Sequence, residues 1–216
     1  DRTAEIARAS ARAVTLVQHA SRRGVGAALA SGYERALAQG AEVVAVMAGD
    51  GQMHPDDLER LLLPVVCGQA DYAKGERFSH PEVRTIMPPP RYYAGRVFSA
   101  LTARATGIAG LSDSQCGYTA ISADALRRVD VRSMWVGYGY PNDLLGRLAR
   151  AGLRVVQGPS GAPSRSATCS EASGLRVWHV AVVAGLIARA AWLRSTSATR
   201  RSAASRFGAA ARPTTP

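Results

Sequence analysis

The segment Glu42-Val43-Val44-Ala45-Val46-Met47 runs almost without interruption as apolar sequence into the turn Ala48-Gly49-Asp50-Gly51-Gln52, and it constrains the fold more than any other stretch. A short β-branched run closed by glycines reads as a strand covered on both faces, as in the parallel sheets of α/β proteins. Ligands of such sheets bind beyond the carboxyl ends of the strands, which is where Asp50 stands. Asp50 and Gln52 flank Gly51, so a hard cation such as Mg²⁺ or Mn²⁺ can take an oxygen from each while ligand phosphates complete its shell. An isolated Gly-Asp-Gly is more often an ordinary turn. The order of the remaining segments decides between the two.

Those segments alternate. Asp1 or Thr3 caps an opening helix with Glu5 in its first turn, and the apolar Val14-Thr15-Leu16-Val17 predicts a short strand. Gly24 to Ala28 turns into a helix containing Leu29, Tyr33 and Leu37, and Pro55 starts another helix through Val66. His54 reads as a helix-entry residue. Between Phe78 and Pro90 the periodicity fails and a loop is expected, followed by a helix from Arg91 to about Thr106. Next come a loop to Ser114, a strand over Cys116 to Ile121, a short helix from Ala123 to Arg128, a helix through Ala151 ended by Gly152, and a strand from Leu153 to Val156. Repeated strand and helix signals make an α/β, mostly parallel sheet flanked by helices the economical architecture.

Charge narrows the choice of partners. The net charge is +11, but residues 1–143 carry 16 Lys/Arg against 15 Asp/Glu, whereas residues 144–216 carry 11 Arg against the single acid Glu171. The basic third also holds the apolar run Val177 to Leu193 and lacks the aromatic interleaving of an RNA-binding face. An anionic membrane surface is therefore expected, and no nucleic acid. Val177 to Ala188 is too short to span a bilayer, so a helix lying in the interface, or one packed on the sheet, is predicted there. Ser195 to Pro216, rich in Ser, Thr, Ala and Arg, reads as a disordered basic tail. Cys67, Cys116 and Cys169 are far apart and form no metal-binding pair, which points to a reducing, cytoplasmic setting.

The order Gly24-Val25-Gly26-Ala27-Ala28, Tyr33, Glu42 to Gln52 with Pro55 and Leu58, then Tyr72-Ala73-Lys74-Gly75-Glu76-Arg77-Phe78, resembles family 2 glycosyltransferases of the dolichyl-phosphate mannosyltransferase type. Ser112 to Ser122, Tyr138 to Leu145 and Ser173-Gly174-Leu175-Arg176 are similar to later motifs of the same bacterial subgroup. The resemblance implies a GT-A-like (Rossmann-like) fold and transfer of a hexose from a nucleotide-sugar donor to a polyprenyl phosphate, or a related lipid-phosphate or glycan acceptor, at the inner face of the membrane. It makes Gly49 and Asp50 donor-binding, with Asp50 and Gln52 holding the divalent cation. Ala48 replaces an acid usual in the family, which puts metal dependence in question.

A departing nucleoside diphosphate needs its charge neutralised. Lys74, the single lysine of the chain, and Arg77 are the candidates, with Arg176 as a further phosphate ligand. Arg77 could equally salt-bridge Glu76 or Asp71. Asp143 stands where the family places an acid near the acceptor and is the candidate base if the acceptor is a hydroxyl; an ionised phosphate needs none. Its other reading is a first-turn helix acid. Asp113 is the second catalytic candidate, as an orienting residue or a loop cap. The family's first strands, ending in Asp-Asp-Gly-Ser, have no counterpart before Asp1, so the expected organisation is a partial GT-A domain over 1–158, a loop and interfacial helix over 159–194 and a tail over 195–216. A non-catalytic remnant and a nucleotidyltransferase with a similar metal-diphosphate site are the competing readings.

Overall fold

The computed structural model describes residues 2–9, 14–159 and 177–209. Its elements are α1 (Thr3–Ala9), α2 (Val25–Ala38), β1 (Val43–Val46), a 3₁₀ turn (Pro55–Asp57), α3 (Leu58–Val66), β2 (Tyr72–Glu76), α4 (Val83–Ile86), α5 (Pro89–Thr106), β3 (Thr119–Ser122), α6 (Ala123–Arg128), α7 (Tyr140–Arg150), β4 (Val155–Pro159) and α8 (Val177–Ala209).

The four strands form one sheet in the order β1-β3-β2-β4. β3 pairs antiparallel with both β1 and β2, and β2 pairs parallel with β4. Strands β1, β2 and β4 thus run one way, as a mostly parallel sheet requires, but β3 is inserted against them and makes two of the three pairings antiparallel. Hydropathy reports burial and says nothing of direction, so the sequence did not reveal this.

Side chains alternate across the sheet, as the pleat dictates. Val44, Val46, Tyr72, Ile121 and Val155 join the core built with Tyr33 of α2, Leu126 of α6 and Leu144, Leu145 and Leu148 of α7. Val43, Ala45, Ala73, Ala120 and Val156 face Leu61 and Val65 of α3. The outcome is a three-layer α/β/α body, in keeping with the GT-A-like fold expected. Both faces of β1 are covered, yet all four of its residues are only half-buried. It pairs on one side alone among the described residues, so the strand predicted to be fully buried is an edge strand.

Other boundaries move for local reasons. Val14 to Val17 forms no strand: the segment has no ladder partner, and Val14, Leu16 and Val17 are exposed. α4 interrupts the loop expected over Phe78 to Pro90, and α5 begins at Pro89, because prolines in a first helical turn give up only N–H groups that lack a helical acceptor. β3 starts at Thr119 rather than Cys116, whose N–H is taken by the Asp113 carboxylate at 3.1 Å. Leu153 donates to the Leu148 carbonyl and so belongs to the end of α7, which delays β4 to Val155. α8 continues to Ala209 through the stretch predicted to be disordered. Residues 195–209 are dominated by Ala, Ser, Thr and Arg and contain no proline, and alanine and arginine favour the helix. Residues 210–216 lie outside the described residues. On its inner face α8 buries Val183, Leu186, Ile187 and Ala190 against the body of the protein.

Candidate active site

The carboxyl ends of β1, β2 and β4 and the amino end of the reversed β3 meet at one edge of the sheet. The turn after β1, the turn after β2 and the loop before β3 therefore converge there. Asp50, Arg77 and Asp113 reach one region by topology alone.

After β1 the chain turns through Gly49, Asp50 and Gly51, whose φ of 73° needs glycine. Asp50 Oδ1 accepts the Gln52 N–H at 3.1 Å, closing an Asx turn that leaves the rest of the exposed carboxylate facing outward. No group of three His, Cys, Asp or Glu able to hold a metal stands together among the described residues. The described residues do not cage an ion by themselves. One carboxylate beside one amide on an open turn fits a Mg²⁺-like cation whose remaining ligands are phosphate and water.

After β2 the Glu76 carboxylate accepts the N–H groups of Phe78 and Ser79 at 2.7 and 2.9 Å, and this turns the chain sharply. Arg77 is sent back onto Asp113. Its Nε donates to Oδ2 at 2.7 Å and its Nη2 to Oδ1 at 3.0 Å, and its own backbone N–H reaches Oδ2 at 3.2 Å. Asp113 is fully buried, while the Arg77 side chain keeps 20% of its surface open. The remaining capacity of the Asp113 carboxylate is filled by the N–H groups of Gln115 and Cys116. Burial pushes this carboxyl up, but the Arg77 charge and hydrogen bonds, with Lys74 behind them, outweigh it and bring it down to about 2. Arg77 in turn is raised despite its burial.

Lys74 does not reach the surface. It is completely buried, its Nζ donates to the Asp113 carbonyl, and burial pulls its ammonium below the usual lysine range, with the Asp113 charge opposing. Gln157 Nε2 donates to the same carbonyl at 2.8 Å, and its Oε1 accepts from Ser112. Two side chains thus hold the Asp113 loop from beneath.

A second polar chain runs from this loop to α7. Gln115 Nε2 donates to Asn142 Oδ1, and Asn142 Nδ2 donates to Thr102 Oγ1 at 2.6 Å. Next to Asn142, Asp143 is buried in the first turn of α7. Its Oδ2 accepts the Trp135 N–H at 2.9 Å and Arg147 Nε at 2.8 Å, and Arg189 Nη1 of α8 stands 3.8 Å from Oδ1. It is thus a buried helix-start acid in an ion pair with Arg147.

In front of Arg77 a cleft opens between the β2 turn, α5 and α8. Phe78, Met87, Phe98, Val180 and Val183 form apolar walls, and Arg77, Arg91, Gln115 and Tyr138 supply polar groups. Gly95 makes room for it: a Cβ there would lie 2.7 Å from the Phe78 ring. That ring stands edge-on to Tyr92 at 5.4 Å, with the Arg77 guanidinium 5.9 Å from its centroid.

Of the residues singled out in the sequence, Arg77 and Asp113 are thus joined and Asp50 shares their edge; Lys74 supports them from below, and Asp143, beside the Asn142 that bonds Gln115, is paired with Arg147. Arg176 is outside the described residues. Sequence reasoning passed over Arg91, Gln115 and Gln157. The spacing of Arg91, Gly95 and Phe98, one per helical turn, was the signal available for the first.

Comparison with known proteins identifies the family. The chain matches the family described as Glycosyl transferase family 2 over residues 1–129, more than half of its length. It is 29% identical over 174 residues to the polyprenol monophosphomannose synthase of Mycolicibacterium smegmatis, covering 80% of this chain and 65% of that protein. It is 30% identical over 152 residues to the undecaprenyl-phosphate mannosyltransferase of Micrococcus luteus, covering 68% and 59%. It is 30% identical over 114 residues to a UDP-N-acetylglucosamine–dolichyl-phosphate N-acetylglucosaminyltransferase of Methanococcus voltae, covering 53% and 45%. The chain thus spans about half to two thirds of the length of these relatives. With an acidic turn and a clamped arginine at the ligand-binding edge of an α/β sheet, and with this match over more than half its length, the chain belongs to glycosyl transferase family 2.

Proposed function

We propose that the chain forms the sugar-transfer core of an enzyme that moves a hexose from a nucleotide-diphosphate sugar to a polyprenyl phosphate. The observation that carries this reading is the Arg77–Asp113 clamp at the mouth of an apolar cleft. A fixed guanidinium, with Arg91 on the same cleft, suits a phosphate, and the walls of Phe78, Met87, Phe98, Val180 and Val183 suit an isoprenoid chain.

The state of the carboxylates favours a phosphate over a hydroxyl acceptor. Asp113 is ionised, saturated with donors and held at about 2, so it is a poor proton acceptor at neutral pH. Asp143 is committed to Arg147 and the Trp135 N–H. A phosphate oxygen needs no base: it forms the bond to the anomeric carbon as the bond to the nucleoside diphosphate breaks, and the diphosphate leaves with the electron pair. The donor diphosphate is assigned to the Asp50 turn.

Family 2 enzymes commonly use a divalent cation. Here Asp50 and Gln52 would hold Mg²⁺ or Mn²⁺ brought with the donor, and the ion would neutralise charge on the leaving group. The relatives' names include polyprenol, undecaprenyl and dolichyl phosphates, which supports a membrane-embedded acceptor. No helix among the described residues is long and apolar enough to cross a membrane. We assign the protein to the cytoplasmic membrane face, held by its arginine-rich α5 and α8 against anionic lipid.

The test is transfer of radiolabelled sugar from GDP- and UDP-hexoses to a short polyprenyl phosphate, with and without Mn²⁺. Product that is charged, acid-labile and dependent on Arg77 supports the reading. Absence of turnover with every donor would leave a non-catalytic binding role, and release of inorganic diphosphate from a nucleoside triphosphate would indicate nucleotidyl transfer.

A further inference from the structure

Away from the cleft, the last turns of α5 and α7 meet α8 around a cavity of about 230 Å³. Ala105, Gly146, Ala149 and Ala190 line it with minimal bulk, and Arg150 and Arg194 supply guanidinium groups; no acid lines it. The small residues are needed. A Cβ on Gly146 would stand 3.2 Å from that of Ala190, and one on Gly107 would lie 2.5 Å from the Arg194 guanidinium. Arg194 Nη1 donates to the Arg104 carbonyl at 3.0 Å, which fixes the group and leaves other N–H donors to spare.

Arg150 makes no side-chain hydrogen bond or ion pair among the described residues. Burial and the charge of Arg147 lower its guanidinium from the usual range, Asp143 opposing and Arg189 adding to the effect. A counter-charge between Arg150 and Arg194 would relieve this.

The cavity adjoins an apolar groove of about 470 Å³ between α5 and α8, and Ala105 and Arg194 line both. Leu101, Ile187, Ala188 and Ala191 form its walls. Neither α5 nor α8 contains an acidic residue. A cationic pocket continuous with an apolar furrow matches an anion joined to a hydrocarbon chain.

We propose that this junction binds one anionic phospholipid, its phosphate between Arg150 and Arg194 and an acyl chain along the α5–α8 groove. Its phosphate end is distinct from that of the acceptor cleft, Arg91 and Thr106 being 15 residues apart on α5, about 22 Å at 1.5 Å per residue, while the groove begins at Leu101 and Ile187, one turn beyond Phe98 and Val183 of the cleft. Its occupant pins α8 to α5, and so steadies the wall that Val180 and Val183 give the cleft.

Calorimetric titration with a short-chain phosphatidylglycerol below its micelle concentration tests the site without a membrane surface. The double variant R150Q/R194Q is expected to weaken binding about tenfold or more, the scale of lost charge-assisted hydrogen bonds. A191W, which fills the groove and leaves both arginines in place, is expected to do the same. R96Q, which removes an exposed α5 charge elsewhere, is expected to stay within about twofold of the parent. Melting temperatures verify that each variant is folded, and A191W carries the test if the double variant is not. Unchanged binding in A191W overturns the proposal, as does unchanged binding in folded R150Q/R194Q. Equal affinity for the matching phosphatidylcholine, or for inorganic phosphate alone, overturns the phospholipid assignment.

Discussion

Arg77 and Asp113 face each other through two near-parallel hydrogen bonds, 2.7 and 3.0 Å long, across 36 residues of sequence. The fully buried member is the acid; the base is the one that looks out into the cleft. In the proposed reaction, Asp113 therefore acts through the arginine that it aims. Asp113→Asn is expected to destabilise the fold by about 3 kcal/mol, since it breaks a buried pair. Arg77→Lys retains the charge but loses the fork, and is expected to lower kcat/KM by about 10- to 100-fold with little change in melting temperature. Equal activity in Arg77→Lys and the parent would rule out a directional role for the guanidinium.

The same pair predicts acid sensitivity. Asp113 is held at about 2, below the unfolded carboxyl value near 3.9, so its contribution is fully present above about pH 4 and is lost as pH falls toward 2. The contribution is about 2.5 kcal/mol. Denaturant titrations at pH 5 and pH 2.5 are expected to show this loss in the parent and a smaller one in Asp113→Asn. Parallel pH dependence in both proteins would contradict the assignment.

Asp143 separates a catalytic acid from a structural one. Its contacts predict that Asp143→Asn lowers the melting temperature, yet leaves the activity of the folded fraction within about tenfold of the parent. A loss of about a thousandfold at unchanged stability would instead make it the general base.

Asp50→Asn has the opposite signature. The residue is exposed and its carboxylate supports only a local turn, so stability is expected to hold within about 0.5 kcal/mol. Binding of a nucleoside diphosphate is expected to weaken about tenfold in the presence of Mn²⁺ and far less in its absence. Titration with and without the metal reads the difference directly.

Two glycines of α2 test the packing behind the site. A Cβ on Gly26 would lie 2.0 Å from the Trp135 carbonyl oxygen, whereas one on Gly32 would meet nothing within 4 Å. Gly26→Ala is expected to cost about 2–3 kcal/mol, and Gly32→Ala to be neutral or stabilising by about 0.5–1 kcal/mol, by chemical denaturation.

The sequence made some of this legible and hid the rest for identifiable reasons. The strand from Val43 and the turn at Asp50 were readable because an apolar β-branched run and paired glycines act locally. The helix start at Pro55 was readable for the same reason. Lys74 and Arg77 looked alike, as two cations near one strand end, and only tertiary burial separates them: Lys74 lies inside β2 and Arg77 just beyond it. The partner of Arg77 is Asp113 rather than the nearby Glu76 or Asp71, because Glu76 is spent on the turn and Asp71 on Arg154. Arg91 was read as the first residue of a helix, and only the packing of that helix beside the β2 turn and α8 puts it on the cleft.

The one-sided pairing of β1 has a mechanical consequence. Arg77 follows β2, which is clamped by a neighbour on each side, whereas Asp50 hangs from a strand that, among the described residues, is held along one edge only. The candidate site is therefore a vice with one stiff jaw and one compliant jaw. In the proposed transfer, the stiff jaw would fix where a phosphate sits, and the compliant one would follow the sugar-diphosphate as it departs.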